Sequence, residues 1–389
     1  MKTVFDSREN NLDFVRLSLA VLVIFSHSFP LGNRTEHLEP VVRLTHGQST
    51  AGVIAVDAFF IISGFLITNS FLRSRSVWDY FRKRIARIYP GFLACMLVCA
   101  LIVAPLAGAA SPYEHLVPRI VNFLGRALCL QEFSYNHAFL GNPSNSLNGS
   151  IWSISYEFGC YIAIALLGMV GFLRKRHLIQ SFFCASLILV LAISLLVKVW
   201  APGGPFWDHI LGHRYFWERV LLRSPLIPMY LSGVVFYLYR DRIRHSTLWA
   251  VIALCVLAVS CFLPFSWQTC FPVAGTYLTF WFAFHPRVRL HHFARFGDFS
   301  YGTYLYAFPI QQLIVRWIGR PVNPYLLFLF AMPVSLLTAV LSWHAVEKWF
   351  LSPRRKHGED APILPSRISG ISETGETGSL LAPPRSVRS

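Results

Sequence analysis

Two residues pose the first chemical question. Arg16 and His27 stand eleven residues apart inside LDFVRLSLAVLVIFSHSFP (12–30), a stretch long and apolar enough to cross a bilayer. Eleven helical steps of about 100° return to within about 20° of the starting direction and climb about 16 Å, so both side chains share one helix face. Ionisable groups inside a membrane are costly and usually face a protein interior or a water-filled path. Three further groups fit such a path: Asp57 in VDAFFIISGF, Glu157 in IWSISYEFGCY, and the Arg84/Arg87 pair in YFRKRIARIYP. A histidine near carboxylates has the parts of a general base with an orienting partner. Clustered arginines suit phosphate, whose oxygens match the guanidinium fork.

These side chains need elements to carry them. The chain has 389 residues, 54% hydrophobic and only 14% charged, where a soluble domain carries about 25% charged. Repeated apolar runs of about 20 residues predict an all-α, polytopic integral membrane protein. We read ten transmembrane helices, at 12–32, 51–72, 86–108, 151–172, 178–200, 223–239, 246–263, 267–285, 300–319 and 325–350. The basic connections RSRSVWDYFRKRIAR, RKRH, YRDRIRH, HPRVRLHHFAR and SPRRK all fall on one side of that arrangement. That side is expected to be cytoplasmic, with both termini. The same topology accounts for the net charge of +16, so nucleic-acid binding is not expected. The eight cysteines lie mostly in apolar runs without ligand spacing, so neither a metal site nor a disulfide framework is expected.

No cleavable signal peptide is evident, so the first helix is expected to lead insertion. Residues 1–352 read as one membrane domain. Residues 353–389, rich in Ser, Gly, Glu, Pro and Arg, read as a disordered cytoplasmic tail. Within the long outer connection, HLVPRIVNFLGRALCL has the pattern of an amphipathic helix lying in the membrane interface.

Depth then sorts the polar groups. His27, Asp57 and Glu157 are expected in one layer of the outer third, and Arg16, Arg84, Arg87 and Glu347 in a second layer near the cytoplasm. Each has a plainer reading: His27 snorkelling to the interface, the arginines anchoring helix ends, Asp57 in a structural ion pair, and Trp152 and Tyr161 as packing aromatics.

In this order the segments resemble the membrane acyltransferase-3 family. The matching segments are Arg16-x10-His27, VDAFFIISGFLIT (56–68), Arg84-x2-Arg87, LNGSIWSISYEFGCY (147–161), FGDFSYGTYLYAFPIQQ (296–312) and HAVEKWF (344–350). Departures are the absence of Gly directly before Val56–Asp57, Phe158 at a second acidic position, and Ala307 where a histidine is common. The resemblance implies a bacterial inner-membrane O-acetyltransferase. It implies His27 as the catalytic residue, with Asp57 and Glu157 beside it. Arg16, Arg84 and Arg87 would bind acetyl-CoA as donor, and Trp152, Tyr161 and Glu347 would contact substrate. The acceptor would be a carbohydrate, a surface or exopolysaccharide or its lipid-linked precursor, with membrane lipids as the other partners. No hydrolase domain is appended, so a later transfer step would need another protein. A secondary transporter or flippase of a sugar or acyl group shares the polar interior and is the alternative.

Overall fold

The computed structural model describes residues 4–6, 10–109, 116–132, 137–200, 223–319 and 321–351. Among them every regular element is helical. The expected tail, 353–389, and the whole connection 201–222 lie outside the described residues.

Helices stand at all ten expected segments. They are α1 (Leu12–Asn33), α3 (Ala51–Arg73), α4 (Val77–Leu106), α6 (Trp152–Met169), α7 (Arg176–Trp200), α8 (Leu226–Tyr239) and α9 (Thr247–Ser260). The tenth expected segment but two is α10, built from Ser266–Cys270, a π turn Phe271–Gly275 and Thr276–Ala283; α11 (Ser300–Ile318) and α12 (Pro324–Phe350) complete the set. A short α2 (Pro40–Leu44) and α5 (Leu116–Leu128) lie in the two connections between them. Among the described residues six helices are long and apolar enough to cross a membrane: α1, α3, α4, α6, α7 and α12.

One boundary differs from the sequence reading. Helix α4 begins at Val77 rather than 86, because the Ser76 hydroxyl accepts from the Asp79 N–H and caps the helix. The basic run Arg82–Arg87 is therefore helical, and its side chains have fixed directions. The interfacial segment forms α5, with Ile120, Val121, Leu124 and Leu128 exposed on it. Arg126 turns back to its own chain, donating to the Asn122 side chain and to the Glu132 carbonyl.

Close crossings hold the bundle. A Cβ on Gly64 of α3 would meet the Tyr230 carbonyl of α8, and one on Gly233 of α8 would meet the Ile61 carbonyl of α3. The two backbones touch there, as small residues allow in membrane helix pairs. On the other side α1 packs between α3, α11 and α12. Ala307 is fully buried against Ile24 of α1 and Ala331 of α12, a site with room for a methyl group only.

Candidate functional site

Pro30 and the αL residue Arg34 end α1 just beyond His27. Both neighbours of His27 are pinned. Ser26 Oγ donates to Glu39 Oε2 at 3.0 Å; Ser28 Oγ donates to the Ile24 carbonyl at 2.9 Å and accepts from Gln311 Nε2 at 2.8 Å. Between them the imidazole stands edge-on to the Phe308 ring, with centroids 5.4 Å apart and planes at 88°. Its Nδ1 is buried without a hydrogen-bond partner. A ring nitrogen held at a defined place and left unpaired is available to a reacting proton or acyl group.

Glu39 makes the second contact that sets this end of α1. It is fully buried, and Oε1 accepts from the Ala51 N–H at 2.5 Å, the first residue of α3. Burial raises its pKa, outweighing the Ala51 and Ser26 hydrogen bonds that favour the anion. Asp57 is buried one turn and a half into α3, and no hydrogen bond or ion pair joins it to another described residue.

The polar loop before α6 is built onto α11. Gln312 Nε2 donates to the Ser144 and Ser146 carbonyls, Asn142 Nδ2 donates to Gln312, and Asn148 Nδ2 donates to the Leu305 carbonyl. Glu132 Oε1 accepts from Ser146 Oγ and from the Asn148 N–H. GNPSNSLNGS therefore has a defined shape over the end of α11 that carries Phe308.

Below lies a cavity of about 1400 Å³. Seven basic side chains line it (Arg16, Arg75, Arg82, Lys83, Arg84, Arg87, Lys348) against four acidic ones (Asp13, Asp79, Glu157, Asp298). Phe59, Phe60, Ile62, Leu66 and Ile67 of α3 supply an apolar wall. At one end stand Ser153 and Tyr304, whose hydroxyls bond each other at 2.8 Å, and Tyr304 also donates to the Ser150 carbonyl. Tyr304, which lines the cavity, and Phe308, whose ring faces His27, are one turn apart on α11.

The arginine layer is organised by Asp298, a residue the sequence reading quoted within FGDFS without assigning it a role. Arg16 Nη1 and Arg87 Nη2 both donate to Asp298 Oδ2, the first at 2.5 Å. Ser300 donates its N–H and its hydroxyl to Oδ1. Burial opposes the charge of Asp298, but Arg16 and Arg87 outweigh it and hold the carboxyl well below the usual range. Its place just ahead of α11, at the end of a basic connection, was the available signal: topology puts it level with Arg16 and Arg87.

The structure brings Arg16, Arg84, Arg87, Glu157 and Tyr161 to this one cavity; His27, Asp57, Trp152 and Glu347 are not on its wall. Glu157 thus faces the arginine cavity, where depth counting put it with His27. Its Oε1 accepts from Tyr161 at 2.6 Å and from Ser63 at 3.1 Å. Trp152 starts α6 with the Arg223 guanidinium 5.4 Å from its ring. Glu347 is buried in a π turn of α12, accepting from Ser342 and packed against Gly91 of α4.

The chain is similar to several known proteins. An O-acetyl transferase of Shigella phage Sf6 is 27% identical over 360 residues, covering 89% of this chain and 97% of that protein. Nodulation protein 10 of Rhizobium leguminosarum bv. viciae is 25% identical over 360 residues, covering 87% and 92%. The O-acetyltransferase OatA of Staphylococcus aureus is 23% identical over 86% of this chain, which spans 58% of that longer protein. No solved structure matches. The model of the acyltransferase domain family called Acyl_transf_3 matches residues 9–344, which take in His27 and Arg16, Arg84 and Arg87, and the chain belongs to that family.

Proposed function

We propose that this acyltransferase moves an acetyl group from cytoplasmic acetyl-CoA to a hydroxyl of a surface or exopolysaccharide sugar, or of its lipid-linked precursor. The observation that carries the reading is the cavity lined by seven basic side chains and an apolar wall, with Tyr304 one helical turn from the Phe308 ring that faces His27. Its chemistry fits a phosphate-bearing donor with a long uncharged arm. The buried Nε of Arg84, which has no partner, is a donor waiting for an acceptor. The relatives named as O-acetyl transferases support the acetyl group.

In this reading the chain crosses a bacterial inner membrane ten times with both termini in the cytoplasm. The donor's phosphates meet the basic side chains, and the thioester approaches His27 past Tyr304 and Phe308. The acceptor comes from the outer side, over the Asn142–Asn148 loop. His27 takes the proton of the acceptor hydroxyl as its oxygen attacks the thioester carbonyl. The carbon–oxygen ester bond forms, the carbon–sulfur bond breaks, and the departing CoA thiolate receives the proton held by His27. Glu157 and Tyr161 shape the cavity wall.

Mass spectrometry of the host's surface glycans tests this directly, comparing wild type, a deletion, and the deletion complemented with His27→Ala at matched protein level. The expected result is loss of the acetyl increment in the deletion without rescue by His27→Ala. Full acetylation in the His27→Ala strain would remove His27 from the reaction. An unchanged glycan in the deletion would remove O-acetylation.

A further inference from the structure

Two arginines three residues apart on one helix invite treatment as a matched pair. Their surroundings differ. Arg87 is committed: with Arg16 it closes on Asp298 Oδ2, and its guanidinium lies 5.9 Å from the Tyr301 ring centroid. Arg84 has no ion pair among the described residues, a single long bond of 3.3 Å to Ser70 Oγ, and a buried Nε with no partner. Both line the same cavity.

Resting on the donor reading above, in which all three arginines belong to the donor's site, we propose that Asp298 competes with the donor's phosphates for Arg16 and Arg87 and so limits its affinity, which leaves Arg84 as the guanidinium with no carboxylate to displace. A guanidinium already sharing a carboxylate oxygen has donors spent on it, and a second anion there must displace or share that partner. An unpaired one offers its fork at no such cost. Asp298 is itself held by two bonds from Ser300, so it stays in place as the competitor. The consequence is a cavity that binds CoA firmly enough to enter and weakly enough to leave after the acyl group is gone.

Isothermal titration of free CoA into the purified full chain in nanodiscs tests this, with inorganic pyrophosphate as a second probe. Arg84→Gln is expected to weaken CoA by about ten- to a hundredfold, the range for a hydrogen bond to a charged group. Arg87→Gln is expected to weaken it by less than about threefold. Asp298→Asn is expected to tighten both probes, a sign opposite to that of a residue that merely holds the fold. Equal losses in the two arginine variants, or weaker binding by an Asp298→Asn protein that keeps its thermal midpoint, would overturn the proposal. Should Asp298→Asn not fold, the comparison of Arg84→Gln with Arg87→Gln still decides. Wild-type protein that binds pyrophosphate through Arg84 but not CoA would fail the donor reading and leave the anion assignment standing.

Discussion

A histidine that acts as a base and one that carries the acyl group need the same unpaired nitrogen, and they differ in what the protein retains. His27 offers a buried Nδ1 with no partner. As a base it keeps no acyl group, so protein given radiolabelled acetyl-CoA without acceptor should hold no label. Stoichiometric label that His27→Ala abolishes would make it the carrier instead. The Glu157 neighbourhood gives a second residue-scale expectation. Tyr161 donates to Glu157 Oε1 at 2.6 Å in a largely buried setting. Tyr161→Phe should cost about 1.5–3 kcal/mol, as for a hydrogen bond to a charged group, read as a lowered unfolding midpoint. No change would mean that the carboxylate is satisfied without the phenol.

At the scale of elements, the outer end of α1 is tied to the start of α3 through Glu39. Because burial raises the folded pKa of Glu39 above its value of about 4.3 in the unfolded chain, the folded state keeps a proton that the unfolded state has released. That contribution to stability is full below the unfolded pKa and is lost as pH rises through the folded one. Glu39→Gln keeps an acceptor for the Ala51 N–H and cannot ionise, so its melting profile should be flatter on the alkaline side of pH 4.3 than wild type. Glu39→Ala leaves the Ala51 N–H and Ser26 hydroxyl unmet and should cost about 1–3 kcal/mol. A Glu39→Gln profile as steep as wild type would assign the pH dependence elsewhere. The α3–α8 crossing makes an independent prediction. Gly64→Ala and Gly233→Ala each force a methyl group onto the opposing backbone and should cost about 1–3 kcal/mol. The pair together should cost less than the sum, since the first methyl already separates the helices; strict additivity would mean the two sites do not share one crossing.

For the whole molecule, the expectation concerns sidedness. In the proposed reaction the donor and the acceptor come from opposite sides of the membrane. A membrane-impermeant thiol reagent added to intact cells should label Glu36→Cys, exposed between α1 and α2, and spare Arg242→Cys, exposed between α8 and α9. Labelling of both, or the reverse, would break the ten-span topology. Opening the cells should then expose the Arg242→Cys site.

Much of this was legible in the residues themselves. Apolar runs and basic connections locate helices at all ten places, because burying backbone polar groups in hydrocarbon leaves a helix as the available form and charge fixes its ends. The pairing of Arg16 with His27 on one face of α1 follows from the helical period alone. What the chain order could not decide was which groups meet across helices. Depth counting puts Glu157 level with His27, yet in the packed bundle it lines the arginine cavity and bonds Tyr161 and Ser63. Spacing makes Arg84 and Arg87 look alike, and a carboxylate about 210 positions later separates them by taking Arg87 and leaving Arg84 without a carboxylate partner. Glu39 carries no signal in the sequence, and only the folded connection closes it against Ala51 and Ser26. Local periodicity is a property of neighbouring residues and can be read along the chain. Pairing between distant charges depends on helix rotation and tilt, which only the packed bundle determines.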